Sequence, residues 1–112
     1  MKEVLSAISR VQARLPIFKM DGHNPYFKSR YVTLSNILET LMPIAREEGL
    51  AIIMPAVGSN GEAGIAVTVM HLESGELIEY AITIPISGDN AGQESGKNIT
   101  YLKRYALSSI FM

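Results

Sequence analysis

The sequence contains no cysteine and only two histidines among its 112 residues. The absence of cysteine excludes a disulfide framework and any thiolate metal site. Long apolar runs are also lacking, because the longest, Leu50–Val57, is far shorter than the ~20 residues of a membrane-spanning helix. The charged start, MKEVLSAISRVQARL, has no continuous apolar block of the kind found in a secretory signal peptide. We therefore expect a soluble, cytoplasmic protein.

Positive charge is nearly absent from the middle of the chain. Residues 32–94 hold nine acidic residues and one basic residue, Arg46, although the whole chain has a net charge of −1. The segments 1–18, 19–31 and 95–112 are each net positive. The net charge is therefore close to zero although positive and negative charges are separated along the chain. Local electrostatic recognition of a polyanion would need such a separation. The alternative interpretation of these counts is chance clustering.

No spacing of histidines and carboxylates resembles a metal site. His71 falls at the end of a predicted strand near a turn, where we expect a structural role. Glu73, Glu76 and Glu79 flank the same turn and are expected to form a solvated surface. A two-metal nuclease would instead need converging carboxylates with a nearby lysine. We therefore expect no catalysis, no cofactor and no bound metal.

The segment GQESGKN follows a predicted strand and only partly matches a phosphate-binding P-loop. Ala91 occupies the position of the first glycine, and Asn98 replaces the hydroxyl residue that binds Mg²⁺. These differences disfavour an ATPase. Glycines ahead of a helix N-terminus could still leave N–H groups free for a DNA phosphate. The alternative is an ordinary flexible loop that ends in a helix cap.

Two helices are predicted in the first half of the chain. Apolar residues recur at steps of three and four over residues 4–15, and Pro16 ends this helix. A second helix begins at the plausible N-cap Thr33. Pro43 should kink or restart it, because proline removes a backbone donor. Gly49 stands where a left-handed C-cap is expected.

Three strands are predicted after the second helix. The nearly unbroken apolar run Leu50–Val57 is typical of a buried strand. Asn60-Gly61 is a strong hairpin signal, and residues 63–72 then alternate between apolar faces. Ser74-Gly75 centres a second tight turn before the alternating segment Leu77–Ile84. Two short turns that join three strands predict an antiparallel meander.

A last helix is predicted over residues 98–112, and its two sides differ. One helical stripe is apolar and is formed by Ile99, Leu102, Ala106 and Ile110. The opposite side carries polar, basic and aromatic residues, namely Lys97, Tyr101, Arg104 and Ser108. The order α-α-β-β-β-α predicts a single α+β domain over residues 1–112, with helices packed on a three-stranded antiparallel meander. We expect Ile110 and Phe111 to be exposed and to support self-association, together with the strand edges.

Two clusters of basic and aromatic residues are the strongest functional signal. The first, NPYFKSRY, lies in residues 16–32, which have no apolar period and are interpreted as a long loop. The second, KNITYLKRY, repeats the same residue types at helical spacing. Bases stack on aromatic faces with about 1–3 kcal/mol each, and cations follow the phosphates. The predicted nucleic-acid contacts are Lys19, Lys28, Arg30, Tyr31, Lys97, Tyr101, Lys103, Arg104 and Tyr105. The alternative is that Phe27, Tyr31 and Tyr105 are buried anchors of the core.

Both clusters lie in segments that resemble the ERF (essential recombination function) family of phage annealing proteins. NPYFKSRYVTLSNILETLMPIAREEGL is similar to the family's Asn-x-x-Phe-Lys-Ser-Lys/Arg-Tyr segment and its following helix. VMHLESGE resembles the family's strand and turn, and SGKNITYLKRYALSSIF resembles its closing helix. The resemblance spans most of the chain in one order. It departs at GQESGKN, which is less compact than the family's pattern, and at the C-terminus, where family members continue into an acidic or polar region.

The resemblance implies a protein that binds single-stranded DNA and anneals complementary strands without ATP in phage recombination. It also implies a homo-oligomeric ring or filament in the cytoplasm of a bacterial host. The implied fold is akin to the β-β-β-α core of the eukaryotic ring-forming annealing protein. The chain would be either a core that lacks a C-terminal region or an unusually short member of the family. The alternative from another class is an oligomeric scaffold or interaction module without DNA function, built by pairing of strand edges.

Overall fold

The chain folds into three helices and six strands within its described part. A computed structural model describes all residues except 25, 27, 28 and 87–90, and it describes residues 91–95 by their backbone alone. No described helix combines the length and apolarity needed to cross a membrane. In chain order the elements are α1 (Lys2–Arg14), β1 (Gly22–Asn24), β2 (Ser29–Tyr31), α2 (Leu34–Glu47), β3 (Leu50–Ile53), β4 (Ala56–Ser59), β5 (Glu62–His71), β6 (Leu77–Pro85) and α3 (Ala91–Phe111).

The first helix forms as predicted. Its buried residues are Val4, Ala7, Ile8 and Val11. At its N-terminus the Val4 N–H donates to the Glu76 carboxylate at 3.1 Å, which satisfies one of the helix's free donors. This hydrogen bond lowers the pKa of Glu76, so Glu76 has a structural contact that the predicted solvated surface did not include. Leu15 takes an extended conformation ahead of Pro16, which ends the helix.

The second helix begins at the predicted N-cap. Thr33 Oγ1 accepts from the Asn36 N–H at 3.2 Å. The helix continues through Pro43 as one element, so the predicted restart does not occur. Proline removes one donor, whereas the buried stripe on both sides of it holds the helix together. Gly49 follows with a φ of +78°, as expected for a left-handed residue after a helix.

The predicted strand Leu50–Val57 is interrupted and forms β3 and β4. Both pieces pair antiparallel with β5 in a single register, since Ile53 is opposite Thr68 and Ala56 is opposite Ile65. Pro55 lies between them and has no N–H to donate, although its carbonyl accepts from Ala66 at 3.0 Å. The ladder is therefore broken by one missing donor rather than by a change of direction.

The antiparallel meander is confirmed in β4, β5 and β6. Asn60 and Gly61 have φ values of 49° and 80°, which fits the tight turn that Asn-Gly predicts between β4 and β5. Gly75, with a φ of 77°, lies in the turn between β5 and β6. His71 ends β5, and its Nδ1 lies 2.7 Å from Ser74 Oγ in that turn. His71 therefore stabilises the turn, as its predicted structural role requires.

The helices cover one face of the four-stranded sheet formed by β3 to β6. Ile65, Val67 and Val69 of β5 are fully buried on that face. The other face stays uncovered by the described chain and includes Ile53, which is 59% exposed. The rest of the buried core comes mainly from the helices, with Ile37, Leu41, Ala45, Leu102, Ala106, Leu107 and Phe111.

The end of α3 lies in the core rather than on the surface. Phe111 is only 2% exposed, and Ile110 is half-buried, so the predicted exposure of these two residues is wrong. The reason is the packing of α1 against this end of α3, where Gln12 Nε2 donates to the Ile110 carbonyl at 2.9 Å.

The predicted long loop over residues 16–32 contains a short antiparallel hairpin, which corrects that interpretation. Gly22 is opposite Tyr31, and Asn24 is opposite Ser29. Asp21 anchors the hairpin, because its carboxylate accepts from the Thr33 N–H at 2.9 Å and from the Thr33 hydroxyl at 2.8 Å. Each strand has only three residues and no apolar alternation, so no sequence period marks the hairpin.

The last helix begins at Ala91 rather than at Asn98. GQESGKN is therefore helical, and neither the proposed phosphate site at a helix N-terminus near Asn98 nor the alternative flexible loop is correct. Thr100 Oγ1 already donates to the Gly96 carbonyl within this helix, at 3.2 Å. A glycine costs about 1 kcal/mol in a helix interior, and the long packed segment that follows can offset this cost.

Candidate nucleic-acid interface

The exposed side of α3 carries the second basic and aromatic cluster. Lys97, Thr100, Tyr101 and Arg104 recur at steps of three and four, which places them along one face of the helix. Leu102 and Ala106 on the opposite side are buried in the core. This division agrees with the two helix faces predicted from the sequence. The exposed face offers cations, a hydroxyl and an aromatic ring that the core does not use.

The hairpin brings the first cluster onto this face of α3. The Arg104 guanidinium carbon lies 4.2 Å from the centre of the Tyr31 ring and 5.5 Å from that of Tyr101. A cation over an aromatic face contributes about 0.5–1 kcal/mol at an exposed site. Arg104 thus joins β2 to α3, and the two sequence clusters form one surface, hereafter the Tyr31–Arg104 surface.

Gly22 sets the position of Tyr31 in that surface. A Cβ built on Gly22 would lie 2.3 Å from Cε2 of the Tyr31 ring, far inside contact distance. The ring therefore fills space that only glycine leaves open. At the hairpin base, the backbone N–H and the hydroxyl of Thr33 lower the pKa of Asp21. The ionised form of Asp21 is thus the one that anchors the hairpin to the start of α2.

A row of tyrosines extends the Tyr31–Arg104 surface towards the sheet. The rings of Tyr101 and Tyr105 are stacked, with centroids 6.4 Å apart and an interplanar angle of 19°. Tyr80 of β6 is close to Tyr105 and to the Ser109 hydroxyl, and its burial raises its pKa. Tyr80 is nevertheless 38% exposed. Exposed tyrosine side chains therefore extend from α3 to β6.

A cavity of about 510 Å³ opens between β2 and α3. Small-molecule sites commonly measure about 300–1,000 Å³. Its walls combine two cations, two tyrosines and three small polar residues: Asn24, Ser29, Tyr31, Lys97, Thr100, Tyr101 and Arg104. A second cavity, of about 570 Å³, is lined by Leu15, Ile17, Phe18 and neighbouring residues without any charged side chain. Only the first of these two cavities is therefore suited to a phosphate-bearing ligand.

The cations of the Tyr31–Arg104 surface are unpaired within the described chain. No described carboxylate lies within 4.0 Å of Lys97, Lys103 or Arg104. Among the described residues there is also no group of three histidine or carboxylate side chains that could hold a metal ion. The surface is thus positively charged and open to an anionic ligand.

Five of the predicted nucleic-acid contacts come together in space. Four of them line the cavity, and Tyr105 stacks beside it, 56% exposed. The alternative that Tyr105 is a buried core anchor is therefore wrong, whereas Tyr31 is half-buried beneath Arg104. The five are Tyr31, Lys97, Tyr101, Arg104 and Tyr105.

Three of the other four predicted contacts, Lys19, Arg30 and Lys103, do not line the cavity. Lys103 is half-buried and is turned about 100° around α3 from Arg104. Arg30 falls on the hairpin face opposite to Tyr31, because side chains alternate along a strand. Lys19 is exposed ahead of the hairpin, where its carbonyl accepts from Asn36 Nδ2 at 3.1 Å. Lys28 and the aromatic Phe27 lie outside the described residues.

Sequence reasoning missed the polar residues of the cavity and the fourth tyrosine. Asn24 and Ser29 become a wall only because the hairpin forms, and no period predicted that hairpin. Thr100 could have been found from its spacing to Lys97 and Arg104. Tyr80 lies in the alternating segment predicted as the last strand, but the sequence does not show that it lies near Tyr105 of α3.

The comparison with protein families gives one match. The sequence model described as the ERF superfamily matches residues 4–112, which include every residue that lines the cavity. No curated protein and no solved structure matches the chain.

Proposed function

Since the chain belongs to the ERF superfamily, a family of phage single-strand annealing and recombination proteins, we propose that it binds single-stranded DNA and promotes pairing of complementary strands without ATP. The observation that carries the proposal is the Tyr31–Arg104 surface. It places unpaired cations next to exposed tyrosine rings, as binding of an unpaired strand requires.

The tyrosines favour single strands over duplexes. Tyr101, Tyr105 and Tyr80 present exposed ring surface in a row. A base can stack on such a ring only when its own face is free, which is the case in a single strand. Every base has an aromatic face, so we expect little sequence preference. Lys97 and Arg104 would neutralise the backbone phosphates of the same strand.

The proposed activity is binding rather than catalysis. Annealing requires that two strands be brought together and that their mutual phosphate repulsion be reduced. No covalent bond is made or broken in either step. The Tyr31–Arg104 surface would supply charge neutralisation, while weak and sequence-blind stacking would let bases leave the protein for a complementary strand.

Self-association is part of the proposal. Within the part of the chain that the structure describes, the sheet ends in two open edges, β6 on one side and the β3–β4 pair on the other. Its uncovered face carries exposed apolar residues such as Ile53 and Val57. Open edges and apolar patches are common sites of subunit pairing. Sedimentation with and without DNA would test this part, and a purely monomeric profile in both cases would contradict it.

A direct test compares binding with annealing. Fluorescence anisotropy would measure the affinity for a labelled 30-nucleotide strand and for the corresponding duplex, at low and at high salt. A second assay would follow the pairing of two complementary labelled strands without ATP. We expect the protein to bind the single strand more tightly than the duplex and this affinity to fall as salt rises. We also expect the two strands to pair faster with the protein than without it. A scaffold without DNA function would self-associate but show no strand affinity even at low salt.

A further inference from the structure

We propose that the cavity between β2 and α3 holds one nucleotide of the bound strand, with its base taken out of the stack of its neighbours. This inference rests on the proposed single-strand binding and adds a specific site to it. The cavity would add to the exposed tyrosines a second feature by which the protein distinguishes a single strand from a duplex.

The α3 wall of the cavity is suited to a phosphate. Lys97 and Arg104 lie one above the other along this face, with Thr100 and Tyr101 between them. The Arg104 guanidinium lies over the rings of Tyr31 and Tyr101, and these contacts restrict its direction before any ligand binds. A preorganised cation loses less conformational freedom when it binds.

The hairpin wall is suited to the sugar or the base edge. Asn24 and Ser29 are cross-strand neighbours, so their side chains lie on the same face of the hairpin as Tyr31. Asn24 Oδ1 already accepts from the Tyr26 N–H at 3.0 Å, whereas the Ser29 hydroxyl can both donate and accept a hydrogen bond. Ser29 can therefore meet the edge of any of the four bases, which agrees with a site that does not select a sequence.

The size of the cavity, and whether the DNA is single-stranded or double-stranded, explain how the protein would distinguish a single strand from a duplex. At about 510 Å³ the cavity falls in the range of sites for small molecules, and a single nucleotide is a ligand of that class. Taking a base out of a duplex breaks its pairing and its stacking, whereas in a single strand only the stacking on its neighbours is lost. A duplex would thus reach the cations of α3 but would leave the cavity unfilled.

The first experiment uses the unmodified protein. Backbone amide shifts would be followed by NMR during separate titrations with thymidine 5′-monophosphate, thymidine and inorganic phosphate. We expect the monophosphate to bind most tightly and to shift the amides of Ser29, Lys97 and Thr100. Equal responses to the monophosphate and to inorganic phosphate would show a phosphate contact without a base site. That result, or shifts confined to other parts of the chain, would overturn the inference.

The second experiment fills the cavity with a side chain. Thr100→Trp should weaken binding of a 12-nucleotide thymidine strand about tenfold, which corresponds to the loss of one stacked base, and leave the affinity for a 12-base-pair duplex within about twofold. Ser9→Trp is the matched control, because Ser9 is an exposed residue of α1 that lines neither described cavity. We expect this control to change neither affinity.

The outcomes separate the inference from the function on which it rests. Equal weakening of strand and duplex binding by Thr100→Trp, or no weakening of either, would overturn the nucleotide site while leaving single-strand binding intact. Absence of strand affinity in the unmodified protein would instead contradict the proposed function. If Thr100→Trp fails to fold by circular dichroism, Ser29→Trp fills the same cavity from the hairpin side and has the same expected result.

Discussion

The arginines of α1 and the cations of α3 belong to the same class of side chain but lie in opposite surroundings. Arg10 Nε contacts Glu48, the residue that caps the end of α2, at 2.7 Å, and Arg14 contacts both Glu48 and Glu47. Lys97 and Arg104 have no described carboxylate within 4.0 Å and lie beside tyrosine rings instead. Local charge counts do not reveal this difference, because the carboxylates that neutralise α1 are contributed by another helix.

The largest effect is expected from reversing both cations of the cavity. Lys97→Glu combined with Arg104→Glu should lower single-strand affinity roughly 100-fold, because two phosphate contacts become repulsive. The thermal midpoint should change little, since neither side chain lies in the buried core. Strand affinity and thermal unfolding of the same samples provide the measurement. Lys2→Glu with Arg46→Glu gives an equal change of net charge on exposed residues elsewhere and should have a much smaller effect.

A smaller loss of affinity is expected when Tyr31 is displaced. Gly22→Ala introduces a Cβ that would lie 2.3 Å from the Tyr31 ring, so the ring must move away from Arg104. Single-strand affinity should fall about tenfold if the Tyr31–Arg104 contact shapes the cavity, which matches the loss of one stacked base. Gly75→Ala is the control, because a Cβ there meets no atom within 4 Å, although its positive φ carries its own strain. Unchanged affinity in Gly22→Ala would show that Tyr31 does not shape the site.

The ion pairs of α1 should matter for stability and not for DNA. Arg10→Gln with Arg14→Gln removes the partners of Glu48 and should lower the thermal midpoint slightly, because exposed pairs contribute little. Single-strand affinity should stay within about twofold of the unmodified protein if the paired arginines lie outside the binding surface. A loss of affinity comparable to that of the α3 variant would remove the distinction between the two groups of cations.

The dependence of stability on pH should show the smallest effect. The hydrogen bond from Arg10, followed by that from Arg14, lowers the pKa of Glu48, and the Thr33 N–H lowers that of Asp21. Carboxyls with a depressed pKa in the folded state stabilise it above their ordinary pKa, and this contribution is lost as pH falls through the folded value. Thermal unfolding between pH 7 and pH 3 should therefore show a falling midpoint. The fall should be shallower in the Asp21→Asn variant.

Periodicity predicted most of the fold. The stripes of α1 and α2 and the alternation of β5 follow directly from burial on one side, so residues such as Val11, Leu41 and Val67 were identifiable in advance. The α+β class and the order of the main elements are confirmed. The first turns of α3 were not predicted, because this segment contains glycines. The apolar run around Pro55 was predicted as one strand, whereas it forms two. The first error arises where the packed part of the helix outweighs the local preference of glycine, and the second where the missing N–H of a proline interrupts an apolar run.

The site was predictable by residue type but not by arrangement. Tyr31 and Arg104 were both predicted contacts. Nothing in their separate segments shows that the Tyr31 ring lies beneath the Arg104 guanidinium. The hairpin that brings them together is anchored by hydrogen bonds between Asp21 and Thr33, which are distant in the sequence. Once the hairpin is known, strand alternation alone places Arg30 on the other side from Tyr31. The missing information was thus long-range pairing rather than chemistry.

The salt dependence of single-strand affinity is the most direct test of the central claim that the α3 cations contact phosphates. Plots of log affinity against log salt would be compared for the unmodified protein, for Lys97→Gln with Arg104→Gln, and for Arg10→Gln with Arg14→Gln. Each phosphate contact on a single strand contributes about 0.7 to the slope, so the α3 variant should lose about 1.4. The α1 variant should keep the slope of the unmodified protein. An unchanged slope in the α3 variant, or an equal loss in both, would contradict the assignment of the Tyr31–Arg104 surface to DNA.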